Sequence, residues 1–142
     1  MTIRVYDVRN DESTMRATQD TTLNTQGGLA LLNGLLCYSP EWFKAVESGD
    51  IQSIIVDGVI SRVFMSGHND FPEFEIDADG QTSSWARCVS KPHLATGTDL
   101  YQAGSKVRLV YVRHPWKPDQ PASQILGSHA KIVVSIDIVS VT

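Results

Sequence analysis

Seven side chains in the C-terminal half combine aromatic rings with positive charge: Trp85, Arg87, Arg108, Tyr111, Arg113, Trp116 and Lys117. Rings that stack and cations that track a phosphate backbone are the two components of single-strand nucleic-acid recognition. Trp85 and Arg87, followed by Lys91, lie on one expected strand. Arg108, Tyr111 and Arg113 lie on a later one, and His114, Trp116 and Lys117 extend it into a proline-rich loop. Aligned, they would make a ligand-binding face. The competing reading places Trp85 and Tyr111 in the core and leaves the arginines as solvated strand faces. Trp116, in its proline loop, is hardest to assign to a core, and it would suit a protein partner as an exposed anchor.

A second constellation is acidic: His68, Asp70, Glu73, Glu75, Asp77 and Asp79. Glu75-x-Asp77-x-Asp79-Gly80 copies the opening of a calcium loop, but the bidentate acid of that motif would fall at Ala86. The stretch also alternates as a strand, which favours a solvated hairpin face. His68 with Asp70 offers an acid–base pair or two metal ligands, too few for a site unless other elements contribute. A small-molecule or hydrolytic site there is a third-ranked reading. No serine lies in a Gly-x-Ser-x-Gly elbow, and no Cys–His pair is recognisable. Gly27-Gly28 follows polar loop rather than a strand, so it makes a poor phosphate loop. The sequence therefore calls for no cofactor and no metal, and leans away from an enzyme.

The bulk properties narrow the partners. The chain has 142 residues, 42% hydrophobic and 20% charged, with a net charge of −4. This suits one domain, 1–142, large enough to bury a core. The acid excess lies in residues 1–50, where Arg4, Arg9, Arg16 and Lys44 face seven carboxylates; residues 51–142 carry eight basic and nine acidic groups. A net-acidic protein does not hold duplex DNA by its overall field, although a local basic face remains compatible with the second segment. Cys37 and Cys88 match no metal or redox spacing and read as buried free thiols of a reducing compartment. The N-terminal MTIRVYDVRNDES lacks a signal-peptide pattern, and the longest apolar run, Leu29 to Cys37, is short of a membrane span. A cytoplasmic location is expected.

The elements that must position these residues follow from periodicity. Thr2 to Val8 alternates weakly as a strand. Residues 9–28 are polar and apolar-poor, which predicts a mobile surface loop, with a short helix inside Ser13–Gln19 as the alternative without further support. Leu29, Leu32, Leu35 and Leu36 recur at helical spacing, with Gly34 against it and a bulged strand as the alternative. Ser39-Pro40-Glu41 opens a helix over 40–47, with Trp42 or Phe43 inward. From Ile54 the period becomes two, running to Met65 with a bulge or bend expected at Asp57-Gly58. Phe74, Ile76 and Ala78 alternate with acids, Asp79-Gly80 signals a tight hairpin turn, and a third strand covers 82–90. Residues 91–104 read as loop with a helical turn near 99–102. Strands follow at 105–113 and 131–141, the latter with Ile132, Val134, Ile136 and Ile138 on one face. Between them, 114–121 reads as an extended proline loop.

The run Asp57-Gly58-Val59-Ile60-Ser61-Arg62-Val63, Phe74-Glu75-Ile76-Asp77-Ala78-Asp79-Gly80 and Gly104-Ser105-Lys106-Val107-Arg108-Leu109-Val110, with the closing strand, resembles an oligonucleotide/oligosaccharide-binding barrel over residues 51–142. The resemblance is one of fold. It implies a binding face on the second and third barrel strands, for single strands, sugars or proteins.

Together these readings predict a mainly β (α+β) domain, a five- or six-stranded antiparallel barrel or half-barrel. Residues 1–50 would supply a strand, a polar loop and a helical cap, and 51–142 the barrel. The expected function is a non-catalytic binding or assembly module, homo-oligomeric or docked on a protein partner. Single-stranded nucleic-acid binding is the alternative.

Overall fold

The structure, a computed structural model, describes residues 1–118 and 127–139. Six strands form one antiparallel sheet: β1 (Thr2–Asp7), β2 (Ser53–Ser66), β3 (Phe71–Ala78), β4 (Gln81–Ala86), β5 (Lys106–Pro115) and β6 (His129–Val139), in the order β1-β6-β5-β2-β3-β4. The protein is mainly β, as expected. Two α-helices, α1 (Glu12–Asn24) and α2 (Pro40–Ser48), precede β2.

The sheet coils on itself. Beyond the end of β4, Ser90 N donates to Val5 O of β1 at 3.1 Å, and Asp7 N donates to Ser90 Oγ at 2.9 Å. The chain leaving one edge strand is thereby stitched to the other edge, giving a barrel-like half-closure. Three register shifts accompany the coil: at Val5 in β1, Ser61 in β2 and Val134 in β6. Each adds one residue on one strand, and such bulges sharpen twist. The expected bend at Asp57-Gly58 is thus a bulge three residues further on. Gly58 instead permits a close approach between strands. A Cβ there would lie 2.4 Å from Asp77 O and 2.8 Å from the Ile76 side chain. Only a glycine lets β2 pass so close to β3.

Directly paired residues share a sheet face. The inner face therefore holds Ile54, Val56 and Gly58 with Tyr111, Leu109 and Val107, and then Val133, Ile136 and Ile138. Ile60, Ile76, Phe74 and Trp85 continue it on the hairpin side. Most of these side chains are buried in one cluster with Val5, Val8 and Trp42. The expected single apolar face of β6 is broken, because the extra residue at Val134 turns Ile132 to the opposite face, beside Val112. Strict alternation in the sequence conceals that bulge.

On that opposite face, Val112 and His114 are covered by α2, whose Trp42 ring centre lies 6.3 Å from the His114 ring. α2 forms as its sequence dictates: Ser39 Oγ accepts from Trp42 N at 3.2 Å, Pro40 occupies the first turn, and Gly49 ends it at φ +88°. A fully buried Trp such as Trp42 is worth on the order of 3 kcal/mol or more relative to alanine.

Two expectations for the N-terminal section are overturned. Residues 9–28 are not a loop throughout, since 13 residues form α1. Its anchors are polar: Asp11 Oδ1 accepts from Thr14 N, Tyr6 Oη donates to Asp11 Oδ2 at 2.8 Å, and Gln19 Nε2 donates to Cys37 O at 3.0 Å. Lys117 Nζ donates to the carbonyls of Thr22 and Thr25, where cations favour a helix C-terminus. The leucine run 29–37 is not a helix. Leu32 and Leu35 exchange backbone hydrogen bonds around Asn33-Gly34, both at positive φ, and Leu29 bridges Trp116. Leucines three and four apart meet across a turn here, not along a helix. The proline segment is corrected too. His114 and Pro115 belong to β5, paired with Ala130 and His129, while the expected loop's 119–121 and the last strand's 140–141 lie outside the described residues.

Replacing Gly58 by alanine is expected to cost about 3 kcal/mol of stability, because backbone rather than a flexible side chain stands in the way. Urea denaturation followed by far-ultraviolet circular dichroism measures it, and a loss below a few tenths of a kcal/mol would contradict the close-approach account.

Candidate functional site

The seven aromatic and basic residues do not share one surface. Arg108 is on the outer face, where its Nε and Nη2 donate to the two carboxylate oxygens of Asp57 at 2.7 and 2.8 Å. Asp137, its neighbour across β6, is held by Arg4 at 2.9 and 3.2 Å. Asp57, Arg108, Asp137 and Arg4 thus form a ladder of alternating charge over β2, β5, β6 and β1. Hydrogen bonding to Arg108 holds the Asp57 carboxyl below its ordinary range. A hollow of about 540 Å³ lies over this ladder; Asp57 and Arg108 satisfy each other there and Asp137 is held by Arg4, while Lys106 in its lining makes no ion pair among the described residues.

Arg87 turns to the far end of the β2–β3 hairpin, where Nη2 donates to Phe64 O at 3.2 Å and contacts Met65 Sδ at 3.3 Å. Trp116 packs part-buried against the core, and Lys117 holds the end of α1. Two of the seven do meet. Trp85 and Tyr111 lie 5.1 Å apart, ring centre to ring centre, on the inner face. Trp85 is 7% exposed, and its Nε1 donates to Ser83 Oγ at 2.8 Å. Arg113 shares that face and is exposed.

A residue absent from the expected set completes this group. Lys131 places its Nζ 5.1 Å from the Trp85 ring centre and 5.7 Å from that of Tyr111. The three line a groove of about 450 Å³ with Ile55, Val56, Asp57, Ala78 and the start of β4. Lys131 is also the direct partner of Arg113 across β5 and β6. Like charges placed opposite one another destabilise a sheet, and neither cation makes an ion pair among the described residues. The sequence signal for Lys131 was weak: it opens a strand, 46 residues from Trp85.

His68 and Asp70 sit in the exposed turn joining β2 to β3. Among the described residues no three His, Cys, Asp or Glu side chains converge as metal ligands. The expected wet face of the hairpin is present: Phe74 and Ile76 are buried, while Asp77 is exposed and Glu75 engages Ser61 and Arg62. Cys37 and Cys88 are free, and burial pushes their thiols up to about 12 and about 11.

A second unusual group lies under α2. His114 is fully buried, and among the described residues neither ring nitrogen has a hydrogen-bond partner; Nε1 of Trp42 and of Trp116 are likewise buried and unpaired there. Burial lowers the imidazole pKa below its ordinary 6.5, the Pro115 backbone opposes this, and His129 adds to the lowering.

Fold and surface define the class: a small antiparallel β-sheet protein of barrel-like form, its candidate site built from aromatic and basic side chains beside a sheet edge. The family model for immunity protein RhsI2 matches residues 3–139, and the chain belongs to that family. No curated protein matches it. The family assignment is not one of oligonucleotide/oligosaccharide-binding folds, so that resemblance reduces to a small antiparallel sheet of barrel-like form. Among the described residues no helix is long and apolar enough to cross a membrane.

A neutral His114 in the fold makes stability depend on pH with a definite sign. Below about pH 6.5 the unfolded chain takes up a proton that the fold resists. His114 therefore contributes stability above that pH and loses it as pH falls toward the depressed folded value. His114→Leu is expected to remove this part, flattening the stability profile between about pH 7 and 5.5 by up to about 1.4 kcal/mol per pH unit. Denaturant midpoints across that range measure it; parallel profiles for the two proteins would refute a neutral buried imidazole.

Proposed function

We propose that the protein is an immunity module that binds a protein toxin of Rhs type and neutralises it by occupying its surface. The observation that carries this reading is the family match over residues 3–139. The surface supports a protein partner. Val63 and Met65 share one face near the far end of the β2–β3 hairpin and both leave apolar area exposed, while Phe71, 62% exposed, does so on the other face. Neighbouring exposed apolar groups such as Val63 and Met65 suit a protein contact.

The alternative of single-stranded nucleic-acid binding is less well supported. It needs ring faces open for stacking, whereas Trp85 is buried beneath Lys131 and Arg108 is neutralised on the other side of the sheet. A net charge of −4 also opposes it. A partner with a basic surface would instead be drawn to this protein.

Cells producing the Rhs toxin domain together with this chain are expected to grow, and those producing the toxin alone to stop. The two purified proteins should co-elute as one complex in size-exclusion chromatography with light scattering. Growth arrest despite the chain, and separate elution, would sink the reading.

A further inference from the structure

β4 is the outermost strand of the sheet on the hairpin side, and among the described residues its edge is bare. The two-residue turn at Asp79-Gly80, with φ +53° and +88°, makes Ala78 and Gln81 the first hydrogen-bonded pair. In an antiparallel ladder such pairs alternate. Gln81, Ser83 and Trp85 thus direct their backbone groups to β3, and Thr82, Ser84 and Ala86 direct theirs outward. Among the described residues the outward groups of Thr82 and Ser84 have no backbone partner; Ala86 O accepts locally from Cys88 N. The strand, QTSSWA, carries no charge and no proline. Edges are ordinarily blunted by charge, proline or a cover. This one has none of these along Gln81–Ser84.

The groove described above starts at this edge, since Gln81, Thr82 and Ser83 line it with Trp85, Tyr111 and Lys131. An extended segment added beside β4 would send alternate side chains inward, next to Ser83 and Trp85. What waits there is cationic. Among the described residues Lys131 and Arg113 stand opposite each other without an ion pair, and the one carboxylate lining the groove, Asp57, is engaged by Arg108.

We propose that the β4 edge and the Trp85–Tyr111–Lys131 groove form a strand-docking site, which receives an extended segment of the toxin partner carrying a carboxylate side chain. Backbone pairing with Thr82 and Ser84 supplies register-independent affinity. The carboxylate, set against Lys131 and Arg113, fixes the register and relieves their mutual repulsion. This inference rests on the immunity reading and adds to it the surface used and the chemistry of the segment bound.

The test is calorimetric titration of the chain with an inactivated Rhs toxin domain. Ser84→Pro removes an outward N–H at an edge position that tolerates proline; Lys131→Glu reverses the central charge; Lys131→Arg retains it. Ser84→Pro and Lys131→Glu are each expected to weaken binding at least about tenfold, with Lys131→Arg close to wild type and melting temperatures little changed. In the wild-type protein, toxin binding should slow amide exchange at Thr82 and Ser84, which needs no variant to fold. Wild-type binding with unaltered affinity in both variants and no added protection at β4 overturns the docking site and leaves the immunity reading standing. Failure of the wild-type protein to bind the toxin overturns both. Quenching of Trp85 fluorescence by a short oligothymidylate, at an affinity equal to the toxin's, would assign the groove to nucleic acid instead.

Discussion

The close passage of β2 over β3 at Gly58 is the constraint on which the rest of the molecule depends. A flat six-stranded sheet would bury one face only by recruiting a complete second layer, and two short helices do not supply one. Here β2 pairs with β5 through its first half and with β3 over its second. The missing side chain at Gly58, followed by the extra residue at Ser61, lets the strand turn through that change of partner. The inner face then closes around its own side chains, and Phe74, Ile76, Leu109 and Ile136 lose all contact with water. Burial of this kind is the main favourable term available to the chain. α2 is left with a smaller duty, covering the part of the outer face where Val112 and His114 lie.

Coiling also sorts the charges. On the outer face, Arg4, Asp137, Arg108 and Asp57 alternate in sign across four strands and satisfy one another. Pairs this exposed contribute little to stability; their effect is to occupy both carboxylates of that face, leaving Lys106 as its cation without an ion pair among the described residues. On the inner face, near the open end of the coil, Lys131 and Arg113 have like charge and no paired acid among the described residues, beside two aromatic rings. A protein selected only for stability has no reason to keep that arrangement. Two like charges set directly opposite each other beside two aromatic rings, an arrangement the outer face does not have, mark where contact with another molecule is favoured.

Strand periodicity made the β framework legible: β1, β3, β5 and the Asp79-Gly80 turn lie where alternation and turn chemistry put them, and Ser39-Pro40 starts α2 as expected. The failures share a cause. α1 has few apolar residues, so periodicity is silent, yet the Asp11 cap, Gln19 and Lys117 hold it through polar contacts that only the tertiary fold assembles. The leucine run carries helical spacing, yet Asn33-Gly34, a pair well suited to two consecutive positive φ values, turns the chain instead. Bulges at Val5, Ser61 and Val134 were invisible, since one inserted residue leaves the composition of a strand intact while reversing the face of everything beyond it. Plain alternation along unbulged β5 already sends Arg108 to the face opposite Tyr111, while the bulge at Val134 brings Lys131, from a strand whose first residue carried no signal, to the face of Trp85 and Tyr111.

The bare β4 edge follows from the same geometry. In a fully closed barrel, β4 would pair along its whole length and no edge would remain. Here closure is made beyond Ala86, by Ser90 against β1, so among the described residues the outward backbone groups of Thr82 and Ser84 have no partner while the core stays sealed behind Trp85. The fold therefore does not need that edge for its own integrity. An added strand would gain main-chain hydrogen bonds without any rearrangement of the core, and the choice among candidate segments would be set by the side chains above it. Lys131 and Arg113 are placed to do that discrimination, because an extended segment without a carboxylate would leave two cations unrelieved. Half-closure of the sheet and the unmatched charge at its mouth are thus two consequences of one bend in β2.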